Sequence, residues 1–586
     1  MDKNAIKKYA VWARRELISR VSQKALQYGI TEENIVPADT ATVNGVILSN
    51  DEMKQRRALI ERITDKGYQQ VMEEVAYTWF NRFIALRFME VNGYLPSHVR
   101  VFTDDENDFK PQIITEAIYL DLDGLDMSKV YSYKDSDQTE ELYKYLLIVQ
   151  CNALNKILPG MFQKISDYTE LLLPDNLLRD GSVIEQMISN IPEDDFNVKT
   201  GNGQIEIIGW LYQYYISEKH EEVANLNKVS VKKEDIPAAT QLFTTDWVVK
   251  YIVDNTVGRY WIERTPESSL AEELEYYIPV SNSEQDIFYD RVTPQDITVF
   301  DPCMGSGHFL VYAFEVLMKI YVEYGYTERE AAENIVLYNI YGLDIDERAS
   351  QLAYFSIMMK ACQYDRRFFK RKIQPNIFAM HDSTAIQEMS VEYFSKENKL
   401  LHQNLMLLIQ KYRNAKEFGT MLYTPDIFWE AIRVRLNELD AEISLYKEIT
   451  LNELVPVIQV ADVMAKKYAI VITNPPYLNK YNKELKKFVV DNFKDYSSDL
   501  FSVFMYRNFD YCKKDGYVGF MTPNVWMFLQ SYEKLRNKIE DEKSIISLIQ
   551  FAKGAFFQEA TVDICAFVLS NNSNYPKGDY FSLEEF

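Results

Sequence analysis

No stretch of this chain approaches the ~18 consecutive apolar residues that a membrane-spanning helix needs. Cysteine is scarce: Cys151, Cys303, Cys362, Cys512 and Cys565 are scattered, odd in number and never spaced as CxxC. That excludes a disulfide framework and a structural zinc knuckle. Histidine numbers five, none paired at helical ligand spacing, so a histidine-rich metal centre is excluded too and no metal is expected. The first residues, MDKNAIKKYAVWARREL, lack the apolar block and cleavage site of a secretory leader. The expectation is a soluble, cytoplasmic protein with no membrane partner. Basic charge is also short, with 64 Lys and Arg against 87 Asp and Glu and a net charge of −23. Phosphate binding needs a positive surface, so this balance speaks against a nucleic-acid partner unless the cations cluster. No internal repeat of ~20–50 residues and no low-complexity tract is present.

What the chain has is length and apolar material. At ~150 residues per domain, 586 residues imply several domains. Hydrophobic residues make up 47%, and 41 Tyr with 32 Phe supply large side chains for more than one core. Residues 1–235 read as a helical domain. Ile6, Ala10, Ala13, Leu17 and Val21 recur at helical spacing, as do Val75, Trp79, Phe83, Leu86 and Met89, and IEIIGWLYQYYIS reads as a core helix. The texture changes in residues 236–586. Short apolar runs (ITVFDPCMGSG, IYGLDID, NIFAMHD, YAIVITNPPY and YVGFMTPN) alternate with helical stretches. This is the pattern of an α/β domain with a parallel sheet and ligands at the strands' carboxyl ends. Between the third and fourth of these strands, residues 386–465 read as a helical insertion. Residues 263–296, with nine acids against two arginines, read as a solvated insertion.

The sharpest local feature is Asn474-Pro475-Pro476-Tyr477, directly after the apolar run Tyr468 to Thr473. A proline-rich turn after a strand could produce it without function, but its chemistry favours a working site. Two prolines fix φ, keep the preceding residue extended and remove two backbone donors. The Asn474 side-chain carbonyl and the Pro475 main-chain carbonyl can then both accept from one exocyclic amino group. Tyr477 offers a flat face for stacking, worth ~1–3 kcal/mol per base. An amine held through both hydrogens loses conjugation with its ring, and the arrangement suits alkylation of a base amine.

A second feature follows a strand end at Asp301: Asp301-Pro302-Cys303-Met304-Gly305-Ser306-Gly307-His308. Gly305 and Gly307 permit positive φ and close approach of a ligand to the backbone. The third glycine of a dinucleotide fingerprint is missing, and an acid at the strand end repels phosphate. Asp301 instead favours a cationic, amine-bearing ligand such as S-adenosylmethionine. Cys303 and His308 read as fillers of a tight turn. Asp344, at the end of Gly342-Leu343-Asp344, can accept from both hydroxyls of a ribose, whereas Asp346 fits a helix start. Asp382 can accept from an adenine amino group or serve equally as a helix cap. Lys480, Lys483, Lys486, Lys487 and Lys494, close after NPPY, face only Glu484 and Asp491. A second run, Arg366-Arg367-Phe368-Phe369-Lys370-Arg371-Lys372, interleaves aromatics. Solvated helix faces usually account for such runs, but the lysines beside NPPY are the better candidates for phosphate contact.

In this order, DPCMGSGHFL, GLDID, HD and NPPY resemble the S-adenosylmethionine-dependent N6-adenine DNA methyltransferases of the gamma arrangement. The resemblance implies a Rossmann-like methyltransferase core with a helical amino-terminal domain. It places Asp301, Pro302, Gly305 and Gly307 at the methionine part of the cofactor, Asp344 at the ribose and Asp382 at the adenine. That family's remaining cofactor motif, usually F-T-P before a helix, has a counterpart in Leu242-Phe243-Thr244-Thr245-Asp246, with Thr245 standing where proline is common, so Phe243, Thr244 and Thr245 are implied as cofactor-binding residues. Asn474, Pro475, Pro476 and Tyr477 would hold the target base. Phe556 would stack on its other face, with Phe557 as a rival. Further segments (IKKYAVWARREL, AYTWFNRFIALRFMEVNGYLP, EIIGWLYQYYISEKH and LFTTDWVVKYIVDNTVGRYW) resemble the PglX family, the methyltransferases of BREX phage-defence systems. Proteins of that family are roughly twice this length, so the resemblance covers an amino-terminal half and implies that a target-recognition domain is missing.

The function expected from the resemblance is methyl transfer from S-adenosylmethionine to adenine N6 in double-stranded DNA, with the base flipped out of the helix. Other defence-system proteins are expected as partners. Three rivals stand beside it. One is a cofactor-binding scaffold that does not methylate by itself. Another is a fused restriction nuclease, for which Asp39, Glu52 and Lys54 are the nearest acid-and-lysine pattern. The third is methylation of RNA or protein, because NPPY reads a planar amine rather than a polymer.

Overall fold

The computed structural model describes residues 1–163, 168–200, 203–226, 231–242, 244–279, 290–552, 563–573 and 578–583. It divides into two compact units, residues 1–219 with 366–372, and residues 220–365 with 373–586.

The first unit is helical. α1 (Lys3–Gln27) starts at Asp2, whose carboxylate accepts from the N–H groups of Asn4 and Ala5. Its buried stripe is Ile6, Ala10, Ala13, Leu17 and Val21, and the small alanines let a neighbouring helix approach closely. α2 (Asn50–Lys66) is opened by a capping box between Ser49 and Glu52. α3 (Tyr68–Asn92) is buried almost all round from Val75 to Met89, as befits the central helix of a bundle, and Gly93 at φ 63° ends it. A buried ion pair braces its last turn. Arg87 lies 2.6 Å from Glu90, whose other oxygen accepts from the N–H groups of Val101 and Phe102.

The second unit is built on an eight-stranded sheet. Its strands are β1 (Val299–Asp301), β2 (Ile340–Asp344), β3 (Asn376–Ala379), β4 (Tyr468–Thr473), β5 (Cys512–Pro523), β6 (Ser544–Gln550), β7 (Ile564–Ser570) and β8 (Asp579–Ser582). The spatial order is β8-β6-β7-β5-β4-β1-β2-β3. β1 pairs in parallel with β2 and β4, β2 with β3, and β4 with β5, while β7 runs antiparallel between β5 and β6. The α/β class expected from the sequence is therefore present, and the topology is that of a Rossmann-like methyltransferase core. Every residue of β4 and β7 is buried, which explains their continuous apolar runs.

The order of strands determines where a ligand can sit. The chain leaves β1 toward β2 and β3, then returns to the other side of β1 as β4. The strand order reverses between β1 and β4, and the crevice beyond their carboxyl ends is the natural binding position in such sheets. The loops DPCMGSG and NPPY emerge from these two strands. An aromatic ladder ties the strands together beneath the loops: Phe300 stacks on Tyr468 at 4.6 Å, and Tyr341 lies 5.0 Å from Tyr468. Each such buried ring contributes about 1.5–3 kcal/mol by leaving water.

Five helices of eight or more residues, Glu388–Ser395, Lys399–Lys411, Trp429–Asp440, Leu445–Glu453 and Val455–Met464, connect β3 to β4. Their apolar faces, including Leu405, Leu408, Ile432 and Ile458, join the same core as the sheet residues Phe300, Leu343 and Val471.

Candidate active site

The turn after β1 is shaped by its glycines. Gly305 has φ 53°, and a Cβ placed there would meet no other atom within 4 Å, so its backbone borders open space. Gly307, at φ 85°, has the opposite surroundings, because a Cβ there would stand 3.0 Å from the Cβ of Ala353. The first glycine leaves room for a ligand and the second lets α4 (His308–Tyr324) pack against α5 (Glu347–Tyr364). The Gly305 N–H donates to Asp344 at the end of β2 at 2.9 Å, and the Asp346 N–H donates to the other oxygen of that carboxylate at 2.8 Å.

These groups border a cleft of about 600 Å³, measured to its open mouth. Of the residues expected from the sequence, Pro302, Gly305, Asp344, Asn474 and Pro476 line it. The structure thus brings the loops after β1, β2 and β4 to one cavity. Further segments complete the wall. Leu242 and Gln241 come from the segment before α-helix Asp246–Val253, Met380 from the end of β3 and Phe504 from the helix Leu500–Tyr511. Gly419 and Thr420 come from the β3–β4 connection. Thr420 donates to the Pro302 carbonyl at 3.2 Å and its own carbonyl accepts from Tyr511 at 2.7 Å, so this remote turn is fastened to the β1 loop. Met380 ends a legible strand and could have been found; Phe504, Gly419 and Thr420 carry no sequence signal.

Other expected residues stand away from the cavity wall. Asp301 is fully buried: one oxygen accepts from the Cys303 N–H at 3.1 Å, and Oδ2 meets no donor at hydrogen-bonding geometry among the described residues. Burial raises this acid to about 7, the Asp344 charge adds to the rise, and the neighbouring Thr473 hydroxyl and Cys303 N–H restrain it. Asp344 is likewise raised to about 7 by burial and by Asp346, against the N–H groups that donate to it. Cys303 is part of the wall rather than a mere filler, and burial beside Asp344 and Asp301 keeps its thiol protonated. Thr245 precedes the helix Asp246–Val253, and its buried hydroxyl has no hydrogen-bond partner among the described residues. Asp382 is not on the wall: one oxygen pairs with Lys233 at 2.8 Å and the other accepts from the Lys416 N–H at 2.8 Å. Phe243, Phe556 and Phe557 lie outside the described residues.

The NPPY loop is held from several sides. Asn474 donates from Nδ2 to the Leu242 carbonyl and to the Thr244 hydroxyl, both at 3.2 Å. Its Oδ1 accepts from the Tyr477 hydroxyl at 2.8 Å, and that hydroxyl also points to the Met521 carbonyl at 3.0 Å. Tyr477 is half-buried, with Phe501 edge-on at 6.3 Å. Asp499 fixes the loop's exit by accepting from the Leu478 N–H at 2.9 Å.

The helix Lys483–Phe493 follows, capped by Asn482, with Leu485, Val489 and Phe493 on its buried face. Lys483, Lys486 and Lys487 lie on its exposed side and form no ion pair with a described residue; Lys480, exposed as well, precedes it. The basic run 366–372 belongs to the other unit. Glu52, one of the two carboxylates of the nuclease-like trio, is engaged by the Ser49 N–H at 2.8 Å and the Tyr28 hydroxyl at 3.1 Å. Among the described residues no three His, Cys, Asp or Glu side chains stand together as metal ligands, and no helix is long and apolar enough to cross a membrane.

Comparison with known proteins gives the same picture. Residues 260–374 match the family described as N-6 DNA Methylase, and residues 338–557 the Eco57I restriction-modification methylase family. The adenine-specific methyltransferase BrxX of Escherichia coli O9:H4 (strain HS) is 35% identical over 631 residues, covering 100% of this chain and 52% of BrxX. The adenine-specific methyltransferase PglX of Lacticaseibacillus casei (strain Zhang) is 37% identical over 602 residues, covering 95% of this chain and 49% of PglX. The type II restriction enzyme and methyltransferase RM.Eco57I of Escherichia coli is 21% identical over 535 residues, covering 86% of this chain and 44% of that protein. The chain spans about half the length of the curated relatives it matches.

Proposed function

We propose, on the premise that this chain is a homologue of the amino-terminal half of the BrxX and PglX adenine-specific methyltransferases, that it methylates adenine N6 in DNA. The observation that carries this reading is that Gly305 and Asp344 line the same cleft as Asn474 and Pro476. Groups suited to a methyl donor and groups suited to an amine acceptor therefore face one cavity.

The residues present fit S-adenosylmethionine. The open space beside Gly305 admits a ligand against the backbone, the buried Asp301 and Thr245 oxygens await partners, and the acids suit a cationic ligand. Asp301, Pro302, Gly305 and Gly307 would border the methionine part, Asp344 the ribose, and the segment 243–245 the approach to them. Asp382 would contribute to the adenine end after release from Lys233. When bound, the cofactor supplies an electrophilic methyl group on a sulfonium.

The chain's own residues do the rest. The carbonyls of Asn474 and Pro475 accept from the two hydrogens of the adenine amine, which raises electron density at nitrogen and fixes its direction. Pro475 and Pro476 present no N–H that could compete. Tyr477 offers its ring to one face of the base, and Phe556 or Phe557 the other. No dedicated base is required, because the amine becomes acidic only after it carries the methyl group. Rate enhancement comes from orientation and electrostatic placement. The adenine must leave its stack, at a cost of a few kcal/mol. Lys480, Lys483, Lys486 and Lys487 would take the phosphates of that strand. Residues 1–235 would form a helical domain and residues 236–586 a catalytic domain with an insertion at 386–465, acting with other proteins in phage defence.

The test is incubation of the purified chain with unmethylated duplex DNA and methyl-labelled S-adenosylmethionine, followed by mass spectrometry of the nucleosides. N6-methyladenine is the expected product. Cofactor binding with no labelled nucleoside at any DNA concentration would favour the scaffold reading, and label in protein or RNA alone would favour the other acceptors.

A further inference from the structure

We infer that Thr244, together with the Leu242 carbonyl, is a positioning residue for Asn474 and sets which end of its carboxamide faces the substrate amine. The sequence places Thr244 in a cofactor motif, 230 positions before Asn474. In the fold, its side chain is 5% exposed and its hydroxyl lies 3.2 Å from Asn474 Nδ2.

The two ends of a carboxamide are nearly the same size, yet they are opposite in hydrogen-bonding character. An amine with two N–H groups can be recognised only by the oxygen end. The Tyr477 hydroxyl cannot by itself enforce that orientation, because its single hydrogen is shared between Asn474 Oδ1 and the Met521 carbonyl. A main-chain carbonyl can. Leu242 has no hydrogen to offer at that oxygen, so the NH2 end must turn toward it, at 3.2 Å. Thr244 completes the arrangement by accepting the second Nδ2 hydrogen. Both amide hydrogens are then engaged inside the protein, and Oδ1 retains a lone pair beyond the one that meets Tyr477. An amide that donates both hydrogens also carries more negative charge on its oxygen, since chains of hydrogen bonds polarise one another. Removing the Thr244 hydroxyl leaves one buried hydrogen without a partner and lets the carboxamide rotate away from its acceptor-forward position.

This role rests on the methyl-transfer reading above, and the experiment separates the two. Thr244→Ser and Thr244→Ala differ from each other by one hydroxyl, so they are compared directly, with Thr244→Val as the isosteric control. Single-turnover methyl transfer is measured with excess protein on duplex DNA at low salt, and S-adenosylmethionine affinity by calorimetry on the same preparations. The Ser variant is expected to keep the wild-type rate within about threefold, and the Ala and Val variants to lose on the order of 10–100-fold in rate. Because the segment 243–245 also borders the proposed cofactor site, the rate is compared at saturating S-adenosylmethionine, where the loss in the Ala and Val variants should persist. Duplex DNA with 2-aminopurine at the target position should report base extrusion at wild-type amplitude. A Thr244→Ala protein that transfers methyl as fast as Thr244→Ser would overturn the role, as would a loss confined to cofactor affinity. A wild-type chain that binds cofactor and transfers no methyl removes the reading beneath it instead.

Discussion

Replacing Asp301 with asparagine should make this protein more stable toward neutral pH, by an amount that the burial of the carboxyl determines. The acid is fully enclosed and raised from an ordinary 3.8 to about 7, with burial as the main cause. Between those values the unfolded chain has released a proton that the folded chain keeps. Rising pH therefore favours unfolding across that window, by about 1.4 kcal/mol per unit. Above about 7 the folded carboxyl ionises as well and the penalty stays constant. Asparagine keeps the acceptor for the Cys303 N–H and does not titrate. The stability difference, variant minus wild type, should thus grow by about 2 kcal/mol between pH 5 and 7 and level off above. Urea unfolding followed by tryptophan fluorescence at pH 5, 6, 7 and 8 reads the difference directly. A gap that does not change with pH, or one that shrinks as pH rises, would refute the assignment of a protonated buried acid beneath the cleft.

Other perturbations test the rest of the site. S-adenosylmethionine affinity should increase with pH up to about 7 and then level off, because a cationic ligand needs the ionised forms of Asp344 and Asp301; calorimetry between pH 6 and 8 that finds no dependence would contradict this. Gly305→Ala should destabilise the fold by only about 1–2 kcal/mol, since the strain is that of a left-handed backbone and the added Cβ meets no other atom within 4 Å. Its side chain nevertheless occupies the ligand's space, so cofactor affinity should fall by at least about tenfold, and wild-type affinity would exclude this wall of the cleft. Lys486→Glu with Lys487→Glu should lower the slope of log affinity for DNA against log salt by about 2, whereas an unchanged slope would remove both from the phosphate path.

Much of the second unit could be read from the chain because each strand ended in an unusual residue. The runs that became β1 to β5 were legible from apolar stretches closed by Asp301, Asp344, His381, Asn474 or Pro523, and the resemblance to PglX proteins was borne out over 95% of the chain. The buried stripe of α1 and the central helix α3 followed from helical periodicity. β6 and β8 were not read, because nothing at their ends distinguishes them from loop, and the reversed direction of β7 depends on tertiary pairing alone. At the site, Gly305, Asp344 and Asn474 were recognisable because turn geometry and charge demand those residue types. Phe504 and the Gly419-Thr420 turn were not, since their place in the cleft comes from the packing of distant segments. Thr244 shows the same limit: its motif was visible, but its bond to Asn474 spans 230 positions and no local pattern encodes it.

The central claim, that Asn474 presents its carbonyl to an adenine amine in the cleft that holds the methyl donor, is tested most directly by Asn474→Ala. Single-turnover formation of N6-methyladenine should fall by on the order of 100–1,000-fold, as for loss of a preorganised transition-state contact. S-adenosylmethionine affinity, measured by calorimetry on the same folded protein, should be nearly unchanged. Methyl transfer within tenfold of wild type, or an equal loss of transfer and cofactor binding, would contradict it.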